Sequence, residues 1–283
     1  MFAVAAIAAG IAVADVTSAN IVGYQNKGLR QQFNYIVNTL RPVDKTRAEM
    51  TLGDVVPNEE FVSSTLQILQ ANGATATMNV CDSEGEIIYE DVDAMFYYGE
   101  GEDGLGWYQM DDWNNDGGLY NQNGFALAFG QGYVVDRVDT EVDAAIVFSG
   151  EVEKAPFTAE LVRAQFNYIG NCAPTKITLG DLVVSSEFVS STIQFLQANG
   201  ATATMNVYDA DGELIYEDVD AQFYYGEGED GLGWYQMDDW NNDGGLYNQN
   251  GFELEAGDGF CADRVDTEEG AKIEFPSAYP DAE

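Results

Sequence analysis

The chain contains the same domain-sized sequence twice, and this duplication limits its possible folds more than any other feature. Residues 73–125 match residues 200–252 at 48 of 53 positions, with a constant offset of 127. QFNYI occurs at residues 32–36 and again at 165–169, because six additional residues around RPVDKTRAEM lengthen the first copy. Each copy has enough chain to bury a core of its own. We therefore predict two tandem homologous domains, residues 20–150 (the first copy) and 151–283 (the second copy).

The residue pattern within each copy is typical of strands. TMNVYDADGELIYEDV and FYYGEGEDGLGWYQM alternate or cluster β-branched and aromatic residues between turns rich in Gly, Asp and Asn. The DADG segment predicts a tight hairpin, and TLGDVVPNEEFV and its counterpart have a briefly helical pattern. The predicted fold class is all-β, with an antiparallel β-sandwich or barrel and one short helix in each copy.

The charge balance excludes several classes of function. Eleven basic residues stand against 49 acidic ones, which gives a formal net charge of -38, and the chain has no histidine. This charge repels phosphate backbones and anionic membranes, so nucleic acid is excluded as a partner, whereas divalent cations are attracted. Without histidine there are no Ser-His or Cys-His nucleophile pairs, and no carboxylate pair is marked as reactive. We predict no catalytic residues and no enzymatic activity.

The first nineteen residues predict a signal peptide. The apolar run from Phe2 to Ala14 is too short to span a bilayer and is followed by small residues suited to signal peptidase. The alternative is a retained apolar segment that packs in the core of an assembly. No later segment is suited to crossing a membrane, so we expect a mature chain that is secreted, extracellular or at the cell surface.

Four short motifs carry a resemblance to a known group of proteins. SANIVGYQNKG, FNYIGN, TLGDL and GWY together resemble uncharacterised secreted bacterial proteins built from β-rich repeats, which open with the same SANIVGY strand after a signal peptide. The resemblance spans most of each copy. It implies an exported, surface or extracellular β-protein and brings no catalytic residues with it. The acidic segment from GEGEDG to DDWNNDGG departs from that group's pattern.

The acidic segment suggests a calcium site in each copy. Residues 112–117 and 239–244 fit D-x-N-x-D-G, the first half of the EF-hand calcium loop, in which oxygens at positions one, three and five face the ion. The candidate Ca²⁺ ligands are Asp112, Asn114 and Asp116 in the first copy and Asp239, Asn241 and Asp243 in the second. Position twelve holds Asn123 or Asn250 instead of a bidentate glutamate, which lowers the expected affinity. The alternative is a plain loop, since Asp, Asn and Gly also favour tight turns.

A hairpin argument adds one ligand to each site. If residues 96–98 pair with residues 107–110, Asp93 lies where the acidic loop leaves the hairpin, and Asp220 does the same in the second copy. Both are candidate additional Ca²⁺ ligands. Glu100 and Asp103 lie at the other end of the hairpin, about 13 Å away, and are expected to be solvated turn residues.

Aromatic residues in the same segment suggest a second ligand class. Aromatic faces beside amides and carboxylates suit sugar rings, and the candidates are Trp113, Tyr120, Trp240 and Tyr247. The alternative function is therefore an extracellular carbohydrate-binding or adhesion module with a polysaccharide partner. Trp107 and Tyr108, with their copies Trp234 and Tyr235, fit core positions or cross-strand pairs better.

The three cysteines have no spacing typical of a zinc site. Cys172 stands where the first copy has Thr39, and Cys261 where it has Val134, so both were gained in the second copy. In a secreted protein this predicts a Cys172–Cys261 disulfide, with Cys81 as a free or buried thiol. The alternative is two separate buried thiols.

The leading functional hypothesis is a secreted or cell-surface structural protein that self-assembles into a filament, layer or matrix, with acidic loops stabilised by Ca²⁺. Because both copies expose nearly identical faces, the contact that docks the first copy on the second would recur between chains and give a head-to-tail homopolymer. The strand SANIVGYQNKG would add to the open sheet edge of a neighbouring chain.

Overall fold

The computed structural model describes most of the chain. The described residues are 22–29, 32–58, 65–68, 75–81, 84–101, 103–110, 121–137, 144–162, 166–197, 201–209, 211–228, 230–237, 247–263 and 270–277. The predicted signal peptide and the centres of both acidic segments, residues 111–120 and 238–246, lie outside the described residues.

Strands dominate the described part of both copies. Those of the first copy are β1 (Val22–Leu29), β2 (Gln32–Val37), β3 (Leu40–Arg41), β4 (Met50–Thr51), β5 (Val55–Pro57), β6 (Thr65–Ile68), β7 (Thr77–Cys81), β8 (Ile87–Asp93), β9 (Met95–Gly101), β10 (Gly104–Gln109), β11 (Ala126–Leu127), β12 (Gly132–Arg137) and β13 (Ala144–Val152). Those of the second copy are β14 (Phe157–Glu160), β15 (Phe166–Gly170), β16 (Ile177–Thr178), β17 (Val183–Val184), β18 (Thr192–Gln194), β19 (Thr204–Tyr208), β20 (Leu214–Asp220), β21 (Gln222–Gly228), β22 (Gly231–Gln236), β23 (Glu253–Leu254), β24 (Gly259–Asp263) and β25 (Lys272–Phe275).

The two copies share one sheet order. The five-stranded sheet runs β10-β9-β6-β12-β2 in the first copy and β22-β21-β18-β24-β15 in the second. A smaller sheet has β13 paired with β1, β3 and β5, and its counterpart has β25 between β14 and β17. Two-stranded sheets join β7 to β8, β19 to β20, β4 to β11 and β16 to β23. All of these pairs are antiparallel, so the prediction of an all-β, antiparallel fold is confirmed.

The apolar core of each copy lies between its five-stranded sheet and its smaller sheet. Along β13, Ala144, Ile146 and Phe148 are buried and alternate with less buried residues, as expected for a strand with one face on a core. Phe148 stacks on Tyr133 of β12 with ring centroids 6.4 Å apart. Burial of a side chain of this size contributes roughly 2 kcal/mol to folding. Residues of β25, β24 and β21 form the corresponding cluster in the second copy.

A 3-10 turn stands where each copy was predicted to have a short helix. The turns are Leu52–Asp54 and Leu179–Asp181, and among the described residues another, Ser186–Phe188, follows in the second copy. The Thr51 N–H donates to Asp54 Oδ2 at 2.8 Å, which closes the first turn before the chain extends into β5. The structure has no α-helix in the described residues, so the predicted helix in each copy is not confirmed. Across those residues, no helix is long and apolar enough to cross a membrane.

The two copies meet through equivalent strands. Gly132 of β12 lies against Tyr168 of β15, where a Cβ atom on the glycine would be 2.9 Å from the tyrosine carbonyl carbon. Gly259, the counterpart of Gly132, lies against Tyr35, the counterpart of Tyr168, and the matching distance is 2.8 Å. Tyr35 and Tyr168 stack on each other with centroids 6.4 Å apart and planes 11° apart. Equivalent residues therefore face each other, as in an isologous dimer contact with a pseudo-twofold axis.

This contact is continuous with a hydrophobic core. The Val37 N–H donates to the Gly257 carbonyl oxygen at 3.1 Å, across the two copies. Val37 and Phe129 of the first copy belong to the buried apolar cluster of the second. Because glycine leaves room for close backbone approach at Gly132 and Gly259, the sheets pack with almost no gap at the axis.

Candidate functional site

The β9–β10 hairpin that was predicted to position the acidic loop is present. Trp107 lies opposite Tyr98, and Gln109 opposite Phe96, which is the predicted register. The turn at the far end places Gly101 opposite Gly104, so that Glu100 and Asp103 lie far from the loop as expected. The β21–β22 hairpin of the second copy has the equivalent register.

Asp93 and Asp220 lie beside the strand ends from which the acidic loops depart. The Gln109 side-chain amide donates to the Asp93 carbonyl oxygen at 3.3 Å, and Gln236 donates to the Asp220 carbonyl oxygen at 3.2 Å. Both aspartates are exposed, so their carboxylates are accessible to a cation. Their place matches the hairpin argument, and their role as Ca²⁺ ligands stays a prediction.

The other predicted Ca²⁺ ligands lie outside the described residues. They are Asp112, Asn114 and Asp116 in the first copy and Asp239, Asn241 and Asp243 in the second. Within the described residues, no group of three or more Asp, Glu, Cys or His side chains is arranged to hold a metal ion. A Ca²⁺ site formed by the D-x-N-x-D-G segments, with Asp93 or Asp220 as an added carboxylate, stays a prediction.

The predicted sugar-binding aromatic residues are only partly described. Trp113, Tyr120 and Trp240 lie outside the described residues, whereas Tyr247 is half-buried and meets Tyr216 edge to face at 5.9 Å. The tryptophans assigned to core positions, Trp107 and Trp234, are fully buried.

The structure holds the two cysteines of the second copy apart. Cys172 and Cys261 are free thiols, 2% and 1% exposed, and Cys81 is free and exposed. Cys261 pairs with Tyr168, whereas Cys172 is four residues beyond Tyr168 along the chain, an offset of about 13 Å. A disulfide needs Cα atoms within about 7 Å, so the predicted Cys172–Cys261 disulfide is corrected to two separate thiols. Burial raises the pKa of Cys261 to about 12 and also raises that of Cys172, which makes both thiols unreactive.

A row of five side chains crosses the outer face of each five-stranded sheet, and this row was not identified from the sequence. One residue from each strand contributes: Phe33, Asp136, Thr65, Tyr97 and Tyr108 in the first copy. The second copy repeats the order with Phe166, Asp263, Thr192, Tyr224 and Tyr235. We call them the first and second aspartate rows. They face away from the core because their strand neighbours, such as Val135 and Phe96, are core residues.

The two tyrosines of each row pack against glycines on the same face of the sheet. A Cβ atom on Gly99 would be 3.1 Å from Tyr97 Cε2, and one on Gly101 would overlap the Tyr108 ring. The rings of Tyr97 and Tyr108 stack with centroids 5.9 Å apart, and the Tyr108 hydroxyl donates to the Gly104 carbonyl oxygen at 2.7 Å. The two tyrosine rings therefore form an aromatic platform, for which the glycines leave room. Tyr224 and Tyr235 form the same platform in the second copy, with centroids 5.8 Å apart.

The aspartate of each row is placed in an environment that disfavours its charge. Asp136 is only 7% exposed, and Asp263 is half-buried. From the described residues, no hydrogen bond or ion pair reaches either carboxylate. Burial raises the pKa of Asp136 above its ordinary value, and the same cause raises the pKa of Asp263. A buried carboxylate without donors is costly, so its presence in both copies marks the row as a candidate binding site.

Comparisons with protein-family models, with curated proteins and with solved structures find no match for this chain. The site must therefore be interpreted from its own geometry.

Proposed function

We propose that the protein is an exported structural protein of two tandem β-domains, which self-assembles through its outer surfaces and has no catalytic role. The observation that supports assembly is a set of exposed apolar positions displayed twice. Four exposed apolar positions recur at the same offset of 127 residues: Val56 and Val183, Ile87 and Leu214, Tyr89 and Tyr216, and Leu105 and Leu232. Ile87 and Tyr89 lie two residues apart on one strand, as Leu214 and Tyr216 do, and neighbouring exposed apolar side chains are typical of association surfaces.

The two-stranded sheets β7–β8 and β19–β20 carry half of these positions, and we call them the exposed hairpins. Each has a bulge at an aspartate in the left-handed region, Asp91 or Asp218, both with φ of 56°. The Asn79 side chain accepts a hydrogen bond from the Asp91 N–H at 3.2 Å, and Asn206 does the same for Asp218 at 3.1 Å. The shape of the hairpin is thus specified identically in both copies.

We propose a mode of assembly other than the head-to-tail mechanism suggested by the duplication. The contact between the two copies uses equivalent residues on both sides, so it closes on itself and leaves no free half for the next chain. Strand β1 also pairs along all of its length with β13 of its own chain. We therefore propose that the exposed hairpins link chains, because a chain with two self-complementary patches extends into an open row.

Calcium is proposed to support this assembly. A net charge of -38 on each chain opposes close packing of copies, and bound cations reduce that repulsion. The acidic loops beside Asp93 and Asp220 are the proposed binding sites. The resemblance to secreted β-rich repeat proteins and the apolar N-terminal segment support export.

Sedimentation velocity and negative-stain microscopy with Ca²⁺ or EGTA test the proposal. The expected result is calcium-dependent filaments or layers, which are lost when Ile87→Ser and Leu214→Ser are combined. Val43→Ser is the matched control, because Val43 is exposed but lies in the segment that only the first copy contains. Strictly monomeric protein under both conditions would contradict assembly.

A second candidate function, carbohydrate binding, is favoured by the aromatic platforms of the aspartate rows. Sugars bind to aromatic rings through their apolar faces and to carboxylates through their hydroxyl groups, and each row offers both groups. A glycan array tests this function, and binding to no glycan would count against it.

A further inference from the structure

We propose that each aspartate row binds a pyranose unit of a neutral polysaccharide, which stacks on Tyr97 or Tyr224 and donates hydroxyl hydrogens to Asp136 or Asp263. The proposal deepens the second candidate function and rests on it. It places the sugar on the sheet face instead of on Trp113, Tyr120, Trp240 and Tyr247 of the acidic segments.

The carboxylates supply the first part of the argument. Asp136 is more than nine-tenths buried on the row, and within the described chain nothing donates to it. A ligand with hydroxyl groups would provide the missing donors, and hydrogen bonds to an ionised carboxylate are about twice as strong as neutral ones. Asn or Ser at this position would fold at lower cost, yet Asp stands in both copies.

The tyrosines supply the second part. Tyr97 and Tyr224 are half-buried, and each packs the Cδ2 and Cε2 side of its ring against a glycine two residues further along its strand. Their partners Tyr108 and Tyr235 are fully buried and hold them in place by stacking. An aromatic ring fixed in this way offers contact area with little loss of side-chain freedom on binding.

The spacing of the row fits one sugar ring. Thr65 lies between Asp136 and Tyr97 on the adjacent strand, so the two flanking backbones are about 10 Å apart at roughly 4.8 Å per strand. Thr65 lies on the same face of the sheet as its two neighbours in the row and is 6% exposed. Thr192 has the same position in the second row.

The electrostatics select a neutral ligand. The net charge of -38 repels phosphorylated, sulfated and uronic acid polymers. A metal ion would need further ligands, whereas each row has a single carboxylate and the described residues offer no group of three metal-binding side chains. A polyhydroxylated ring uses one acceptor and one aromatic face without needing a second charge.

Native gel electrophoresis through hydroxyethyl cellulose, laminarin, xylan or galactomannan tests the proposal, with the thermal midpoint measured for every variant. We expect at least one polymer to retard the full chain. Asp136→Asn combined with Asp263→Asn is expected to weaken binding at least tenfold while the thermal midpoint rises. A purely structural aspartate would not give this combination. Tyr97→Ala with Tyr224→Ala should also abolish retardation.

Matched controls separate the row from its surroundings. Val43→Ser changes an exposed apolar residue outside the rows and outside the recurring positions proposed for assembly, and should leave retardation unchanged. If no polymer retards the wild type, or if the asparagine variant binds as the wild type does, the proposal is overturned. Loss of binding only in Trp113→Ala with Trp240→Ala would move the site to the acidic segments and retain the second candidate function. Assembly, followed separately by sedimentation, reports on the first function alone.

Discussion

The two copies face each other with equivalent strands, yet the two sides of their contact differ in polarity. On one side, the Thr39 hydroxyl donates to the Gln25 side-chain oxygen at 2.9 Å, and Gln25 lies against Gly257 of the second copy. On the other side, Phe157 takes the place of Gln25. Gln25 lies opposite Phe148, and Phe157 lies opposite Phe275, the counterpart of Phe148. Phe157 contacts Phe129 of the first copy with centroids 5.1 Å apart.

This difference in polarity explains why the second copy has a cysteine, Cys172, that was predicted to form a disulfide. Cys172, which replaces Thr39, packs beside Phe157 at Gly130. The hydrogen-bonded pair Gln25–Thr39 of the first copy is thus replaced by the apolar pair Phe157–Cys172 in the second. The contact between the copies is thus symmetric at its centre, where Gly132 and Gly259 lie against Tyr168 and Tyr35. It differs at its two flanks, which are these two pairs.

An ion pair adds a second asymmetry. Lys27 Nζ and Asp258 Oδ1 are 2.8 Å apart across the two copies. The equivalent positions hold Ala159 and Gln131, so a contact between two like copies would lack this pair. The unlike pairing within a chain is therefore favoured over pairing of like copies.

The largest effect is expected where the symmetric centre is broken. Gly259→Val should destabilise the protein by about 3 kcal/mol or more, since a Cβ would be 2.8 Å from the Tyr35 backbone, which has no room to move. Urea unfolding measures the change. Gly28→Val is the control, because nothing lies within 4 Å of a Cβ there. Equal stability of the two variants would contradict the docking geometry.

An intermediate effect is expected where the flanks are exchanged. Phe157→Gln should destabilise the chain by about 2 kcal/mol, because it removes the contact with Phe129 and leaves an amide without the Thr39 partner. Adding Cys172→Thr should restore part of this loss. A double-mutant cycle measures the coupling, and strict additivity of the two substitutions would show that the flanks are independent.

The smallest effect is expected for substitutions of the aspartates in the two aspartate rows. The pKa of Asp136 is raised in the folded protein, so its stabilising contribution is present at acid pH, below the unfolded pKa, and is lost as pH rises through the folded pKa. Asp136→Asn should therefore raise the thermal midpoint at pH 7 by roughly 2 °C after allowance for solvent screening, and by less near pH 3. Asp263→Asn should have a smaller effect, because Asp263 is less buried. A lower midpoint for Asp136→Asn at pH 7 would contradict the assigned pKa direction.

Local sequence patterns predicted the local structure well. The period of two gave the strands, and the DADG segment forms the predicted turn, in which Asp209 Oδ1 accepts from the N–H groups of Asp211 and Glu213 at 2.9 and 2.8 Å. The β9–β10 hairpin followed from its Gly-rich tip. In the described part of the predicted segment, residues 51–58, the short helix was not found because the chain extends directly after Asp54, where a hydrogen-bonded turn is complete without a second turn.

The candidate site was beyond prediction because it depends on strand order. Asp136 meets Thr65 and Phe33 only through pairing between strands that are about 70 and 100 residues away in sequence. The same lack of strand order produced the disulfide prediction, since Cys172 follows the end of β15 whereas Cys261 lies inside the neighbouring β24. A signal was nevertheless present in the sequence, because an aspartate follows an apolar run in both copies, Asp136 in the first and Asp263 in the second.

Zero-length carbodiimide cross-linking tests the closed contact between the two copies most directly. An equal mixture of ¹⁴N-labelled and ¹⁵N-labelled chains is treated, and cross-linked peptides are identified by mass spectrometry. The Lys272–Glu160 pair, 2.8 Å apart within the second copy, is the positive control. A Lys27–Asp258 cross-link with both peptides of the same isotope is the predicted result. Peptides of mixed isotope, or no Lys27–Asp258 cross-link when the control pair reacts, would contradict the closed contact.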